Sequence, residues 1–431
     1  MKDLNLILSL VIFIVTYILI ILEKVDRTVV ALLGASLMVL TKIITQEHAF
    51  KEIDFNTLGL LISMMVIVMI MKKTGLFEYL AIRTVKVAKG EPLRILILLS
   101  IITGVLSAML DNVTTILLVL PVTISIAKDL RLNPIPYIIA EIFASNVGGT
   151  ATLVGDPPNI MIGGSVGLSF MDFIINDAVI AIPLLLLTTY IFALIYRKKL
   201  VTNNDAKQKI MSMDENEAIK DRGLMTKSLA VLGLTILGFV LHGTLHLESA
   251  TIAIAGAVLL LLLTSVGTNA KVKVSSILEE VEWKTIFFFV GLFILVGGIR
   301  ETGVIKMLAE GVLDITEGDL MLTALAILWV SAIASAFVDN IPFVATMIPM
   351  IKDIGAISGM NIAPLWWALS LGACLGGNGT IVGASANVIA IGMAEDAGHK
   401  ITFGKFFKVA FPVMLLTIVI SSVYLFFRYL I

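Results

Sequence analysis

The chain has 431 residues, 58% of them hydrophobic and 15% charged, with a mean hydropathy of +1.02. Soluble domains run at about 45–50% apolar and about 25% charged, so in water this composition would leave much apolar surface wet, whereas a bilayer takes it up. A net charge of −1 without a basic, aromatic-interleaved patch excludes a nucleic-acid partner, and the single Cys374 excludes an intrachain disulfide and a multi-cysteine metal site.

A spanning helix needs roughly 20 apolar residues. The first candidate, 4–22, is longer than a signal-peptide core and is followed by Glu23, Lys24 and Asp26 rather than a small-residue cleavage site, so it reads as a retained transmembrane helix. Further full-length candidates are 28–45, 56–72, 134–152 with a continuation to about 168, 174–196, 227–246, 249–265, 284–299, 362–380 with a continuation to about 394, and 406–428. That makes ten crossings of an all-α, multi-pass membrane protein, placed in the plasma membrane with lipid as its solvent.

Two apolar stretches, 93–127 and 319–351, do not fit as single spans. A helix over 93–127 would measure roughly 50 Å at 1.5 Å per residue, against a hydrocarbon core of about 30 Å. Each stretch carries a central Asp-Asn pair, Asp111-Asn112 and Asp339-Asn340, with almost no other polar residue nearby. The pattern predicts two re-entrant helical hairpins whose tips sit at membrane depth inside protein. The segment 197–226 is the only sizeable polar stretch and divides the chain near its middle as a linker.

Lysine and arginine set the orientation. Lys72, Lys73, Arg83, Lys86, Lys89, Arg94, Lys128 and Arg131 flank the first hairpin; Arg197, Lys198, Lys199, Lys207 and Lys209 open the linker; Lys271, Lys273, Lys400, Lys405 and Lys408 fall on the same side. The other side carries Lys2, Lys42, Lys51, Arg300, Lys306, Lys352 and Arg428. The bias places the linker in the cytoplasm, opens the second hairpin to the outside and puts both termini outside.

Shifted by 228 residues, the sequence aligns with itself without a gap from about 52 to 164. Thr74-Gly75 falls on Thr302-Gly303, Ser107-Ala108 on Ser335-Ala336, and Asp111-Asn112 on Asp339-Asn340. Pro121 and Pro136 meet Pro349 and Pro364; Gly148-Gly149 meets Gly376-Gly377; Thr152, Gly155 and Asn159 meet Thr380, Gly383 and Asn387. Apolar matches are expected by chance in such sequences, but matches of Asp, Asn, Pro and Gly at one offset are not. Five crossings and one hairpin per half is an odd count, so the halves, 1–196 and 227–431, face opposite ways as inverted repeats, with a site expected between them near the midplane.

Four segments break the apolar pattern at depth: 107–115, 335–343, 145–159 and 373–387. In the last two, glycine and proline unwind the helix, which frees carbonyls for a cation and helix N-termini for an anion. The candidate ligands are Asp111, Asn112, Thr114, Thr115, Ser145, Asn146, Gly149, Thr150, Thr152, Asp156, Asn159, Asp339, Asn340, Gly377, Asn378, Thr380, Ser385 and Asn387. Asp111 and Asp339 equally suit the role of N-cap for the second hairpin arm. Asp156, whose repeat mate is Ala384, is the leading candidate for proton or sodium coupling, against a bland role as cap of a helix starting at Pro157. Glu141, whose mate is Leu369, is either a second buried carboxylate or a hydrated residue near the cytoplasmic edge. The four histidines have no metal-site spacing, and no nucleotide loop or nucleophile–base pair points to an enzyme.

The run Asp111-Asn112-Val113-Thr114-Thr115 with Pro121-Val122-Thr123, then Ser145-Asn146-Val147-Gly148-Gly149-Thr150-Ala151-Thr152 and Gly155-Asp156-Pro157-Pro158-Asn159, resembles the ion transporter superfamily, in particular the branch of the arsenite-efflux pump and the P protein (pink-eyed dilution). The resemblance implies a homodimer working by an elevator motion. It also implies scaffold helices over 1–92 and 227–318, and hairpin-plus-broken-helix transport parts over 93–196 and 319–431. Dicarboxylate-carrying relatives have Ser-Asn-Thr at the tips, where this chain has Asp-Asn-Val-Thr and Asp-Asn-Ile-Pro. Small anions or oxyacids such as arsenite or antimonite, moved with sodium or protons, are the substrates implied. Sodium/proton antiport is the alternative and a passive channel a weaker one. No cofactor is implied beyond, at most, a bound sodium ion.

Overall fold

The computed structural model describes residues 2–22, 24–212, 214–265 and 273–430, and every regular element among them is helical. Of the charges considered above, Glu23 and Lys271, and the side chains of Lys2 and Lys209, lie outside the described residues.

The first half runs α1 (Lys2–Leu22), α2 (Arg27–Leu40), α3 (Gln46–Glu52), α4 (Phe55–Lys72), α5 (Leu76–Val87), α6 (Pro92–Met109), α7 (Asn112–Asp129), α8 (Ile135–Thr150), α9 (Pro157–Val166), α10 (Phe170–Phe173), a π-helical turn (Ile174–Ala178) and α11 (Val179–Tyr196). After α12 (Asn204–Met211) come α13 (Arg222–Leu245), α14 (Ser249–Ser265), α15 (Val274–Leu278), α16 (Trp283–Glu301), α17 (Val304–Thr316), α18 (Leu320–Phe337), α19 (Asn340–Ser358), α20 (Ala363–Gly376), α21 (Ser385–Asp396) and α22 (Phe403–Tyr429). Ten described helices are long and apolar enough to cross a membrane, the four hairpin arms among them.

The offset of 228 reappears in three dimensions. Pro92–Met109 and Leu320–Phe337 match at both ends, and the two chain breaks after α8 and α20 fall at matched positions. Mates run antiparallel. Glu52, just before α4, pairs with Arg300 near the end of α16 at 3.3 Å, while Lys73, just after α4, pairs with Glu280, just before α16, at 3.1 Å. The same antiparallel arrangement brings the hairpins in from opposite ends. The base of the first is held by the linker, and Lys352 near the base of the second shares a cavity with Arg300.

Helix starts follow local chemistry. Asp26, Asp54 and Asp319 accept amide hydrogens at the starts of α2, α4 and α18, and prolines in the first turn open α6, α8, α9 and α20. Gly75 and its mate Gly303 sit at φ 81° and 82°, the left-handed region where glycine escapes a Cβ clash, and turn the chain into α5 and α17. These two amphipathic helices lie between crossings and were not expected as separate elements. Outward faces of α1, α2, α13 and α22 carry exposed Leu, Ile, Val and Phe, as contact with lipid demands.

One expectation is corrected. The span 28–45 is helical only to Leu40, because Lys42 takes a left-handed conformation and Ile43 and Ile44 fold back onto the Met38 carbonyl. The polar linker packs against the first half. Ala206 and Ile210 are buried, Thr202 donates to the Leu130 carbonyl at 2.6 Å, Lys207 pairs with Glu91 at 2.7 Å, and Lys86 pairs with Glu215. The linker thus clasps the base of the first hairpin.

Candidate functional site

Both hairpin tips meet the two helix breaks inside the protein. The tips are kept by capping: Asp111 accepts from the Thr114 amide at 2.8 Å, and Asp339 from the Ile341 amide at 3.1 Å. Each tip is pinned to a break in the same way. Ser107 donates to the Ser145 carbonyl and Ser335 to the Ala373 carbonyl, both at 2.6 Å. Thr152 donates to the Ala108 carbonyl, and its mate Thr380 to the Ala336 carbonyl. Glycine permits the approach: a Cβ on Gly148 would stand 2.1 Å from the Gly104 oxygen, and one on Gly376 2.5 Å from the Ala332 oxygen. Gly149 and Gly155 face each other as closely, so the two limbs of the break touch backbone to backbone.

Asparagines organise the unwound backbone. Asn159 Nδ2 donates to the carbonyls of Thr150 (3.1 Å) and Thr152 (3.0 Å), and Asn387 Nδ2 to those of Gly377 (2.7 Å) and Thr380 (2.8 Å). Asn146 joins the halves. It accepts from Asn112 at 3.1 Å and donates to Asn378 at 3.1 Å and to Asn387 at 2.9 Å. All of these amides are buried. The Asn378 Nδ2 and Thr115 Oγ1 atoms are buried without a partner, so the nest holds unfilled hydrogen-bonding capacity.

Asp156 stands at the middle of this nest, fully buried. Asn340 from the second tip reaches its Oδ1 at 3.4 Å, and its Oδ2 has no partner. It occupies the N-cap position of α9 but does not cap with its side chain, because Pro157 and Pro158 have no N–H to offer and the Asn159 amide is taken by the backbone carbonyl of Asp156 at 3.0 Å. Asp339 behaves differently. Arg27 donates from one nitrogen to Asp339 at 2.6 Å and to Ser385 at 2.7 Å, and Ser385 also donates to Asp339 at 2.6 Å. Arg27 and Ser385 line a cavity of about 390 Å³ with Asp26 and Lys284, open at the start of α16. A second polar cavity, about 150 Å³, lies at the other end of α16 between Glu52, Asp54, Arg300 and Lys352, and is floored by Met161, Ala345 and Ile348.

Most of the candidates read from the sequence are therefore brought together: Asp111, Asn112, Ser145, Asn146, Gly149, Thr150, Thr152, Asp156, Asn159, Asp339, Asn340, Gly377, Asn378, Thr380, Ser385 and Asn387 all lie on the tips and breaks described. Thr114 joins through its backbone. Glu141 is not hydrated at an edge. It is buried in α8, accepts from Thr123 of α7 at 2.7 Å, and is not hydrogen-bonded to any of these asparagines. Sequence reasoning missed Arg27, Ser370 and Asp177. Asp177 is an acid inside the apolar run 174–196, a signal that was present and passed over.

An all-helical, multi-pass protein with paired hairpins and broken helices around a buried polar nest is a membrane transporter by architecture. The chain belongs to the citrate transporter family, whose model matches residues 17–372. It is 41% identical over 429 residues to an uncharacterized transporter of Mycobacterium tuberculosis, covering 98% of each chain. To the P protein of Homo sapiens it is 34% identical over 493 residues, covering 95% of this chain and 58% of that one, in keeping with the resemblance carried by the Gly-Asp-Pro-Pro-Asn stretch. The crystal structure of the Alcanivorax borkumensis YdaH transporter superposes with a TM-score of 0.57 over 99% of this chain and 98% of that one, at 16% identity, a likeness of fold.

Proposed function

We propose that the chain is a secondary active transporter that moves a small anion or oxyacid across the plasma membrane, coupled to sodium or protons. Its two halves act as inverted repeats, and the hairpins with their broken helices form a transport part that slides against scaffold helices in an elevator motion, in a homodimer. The observation that carries the reading is Asp156: a fully buried carboxylate with a partnerless oxygen, where both hairpin tips and both helix breaks converge. A charge in such a place is costly unless it is neutralised by a proton or a cation, which is the requirement a coupling site meets.

Arg27, Ser385 and the cavity above them supply the entry for the anion. The charge balance bears on its identity. Asp111, Asp156 and Asp339 bring up to three negative charges against one guanidinium, so a tricarboxylate such as citrate meets the strongest repulsion, a singly charged oxyacid about a third of it, and a neutral oxyacid of the arsenite kind none. The same acid-rich balance favours a second reading, sodium/proton antiport at Asp156.

Purified protein in liposomes, given arsenite, antimonite or citrate, tests the choice. Uptake should follow an imposed sodium or proton gradient and fall at least about tenfold in Asp156→Asn, since a proton or cation is what makes the buried site neutral. Sodium-driven proton movement without solute, lost in the same variant, selects antiport. Saturable flux indifferent to both gradients sinks the coupling.

A further inference from the structure

Three departures from the common pattern of the two halves, and one residue beyond the aligned stretch, fall on one line. Asp156 has Ala384 as its mate, Cys374 has Asn146 and Ser370 has Ile142, while Asp177 lies beyond the aligned stretch. The shared residues build the frame; these four do not, and they are packed together. The Cys374 thiol faces Asp156 and lies 3.5 Å from Asn159 Oδ1. Ser370 Oγ lies 2.7 Å from the same Asn159 oxygen and at hydrogen-bond distance from Asp177 Oδ2. All four are buried, and Asp177 is wholly so.

Counting protons fixes the state of Asp177. Asn159 cannot be flipped, because its Nδ2 holds two backbone carbonyls, so its Oδ1 faces Ser370. The serine has one hydrogen, and it must go to that oxygen. The remaining contact, Ser370 Oγ to Asp177 Oδ2, then has a hydrogen only if the carboxyl supplies it. A second observation agrees. Asp177 Oδ1 is buried with no partner, a position that a neutral carbonyl oxygen tolerates and half of an ionic charge does not. The residue also sits in the π-helical turn Ile174–Ala178, an irregularity that proteins keep mostly at working sites.

We propose that Asp177 is a proton-binding site of this chain, holding a neutral carboxyl that donates to Ser370 and joining Asp156 through the buried line Ser370–Asn159–Cys374. From α20 it is faced by Ser370 and Cys374, and from α22 by Tyr424 and Tyr429. Asn176 beside it receives Arg428 at 3.2 Å and Tyr429, and donates to Asp172. That cluster lies at the end of the molecule that carries the C-terminal end of α22, so Asp177 is the outer member of the pair. Its use in transport rests on the coupled-transport reading; its proton does not.

Infrared spectroscopy of the whole protein in lipid, with aspartate isotope-labelled at the side-chain carboxyl, separates Asp177 from Glu141. At neutral pH the labelled neutral-carboxyl signal should contain one component that is lost in Asp177→Asn, is kept in Asp156→Asn, and moves to higher frequency in Ser370→Ala, where its hydrogen-bond acceptor is gone. An unchanged band in Asp177→Asn overturns the proposal, and so does an unmoved band in Ser370→Ala, which remains decisive should the first variant fail to fold. Gradient-driven flux, measured apart, decides only the transport reading.

Discussion

Replacing Asn146 by leucine tests whether one amide ties the halves together. The side chain is fully buried and makes three side-chain bonds, one to Asn112 and two across the repeat boundary to Asn378 and Asn387. Leucine fills nearly the same space but strands the Asn112 NH₂ and the two acceptor oxygens, and Asn378 is then left with neither end of its amide bonded. An unsatisfied buried polar group costs about 1–3 kcal/mol, so three give roughly 3–9 kcal/mol. Asn112 sits at a hairpin tip and has some freedom to turn, which favours the lower half, about 3–5 kcal/mol. Equilibrium unfolding of the purified protein in mixed micelles, followed by tryptophan fluorescence, reads the loss. Asn378→Leu combined with Asn146→Leu should cost less than the sum of the two by about 1 kcal/mol, because the stranded Asn378 acceptor is removed with its donor. A single-variant loss under about 1 kcal/mol, or strict additivity, would refute the cross-half role.

Two further outcomes follow from packing and charge. Gly148→Ala should destabilise by about 1–3 kcal/mol or more, since its Cβ meets backbone at 2.1 Å and α6 must move from α8. Gly376→Ala, at 2.5 Å, should act in the same direction, and Gly311→Ala, in open space within α17, should stabilise by about 0.5–1 kcal/mol. Unfolding midpoints give the ranking, and a Gly148→Ala midpoint at or above that of the parent chain contradicts it. In the linker, the Lys207 hydrogen bond holds Glu91, and the Lys86 hydrogen bond holds Glu215, below the usual carboxylate range. Groups depressed in this way stabilise above their unfolded pKa and lose that contribution as pH falls through the folded value. Hydrogen exchange at the Lys220 amide, bonded to the Thr74 carbonyl at 2.9 Å, should therefore lose protection below about pH 4. Protection that is constant there after correction for intrinsic exchange would remove the clasp.

Much of the frame was legible in the chain. Asp, Asn, Gly and Pro inside apolar stretches are costly in lipid unless they fold inward, so their fixed offset of 228 revealed both hairpins, both breaks and the internal repeat. Lengths were less legible: α2 stops at Leu40 because of a left-handed Lys42, and the sequence there stays apolar for several residues. Amphipathic α5 and α17 were lost in the gaps between spans, because a search for continuous apolar runs passes over a helix that is apolar on one face only.

Which polar groups meet depended on how the halves dock. Asn340 reaches Asp156, Ser370 reaches Asn159 and Asp177, and Arg27 reaches Asp339, across separations of 184 to 312 residues. Composition and spacing determined that these residues must be sheltered from lipid. They carry no record of which helix face does the sheltering. That was decided by antiparallel packing of the two halves, which sets Asp177 against a serine that already has its single hydrogen committed elsewhere.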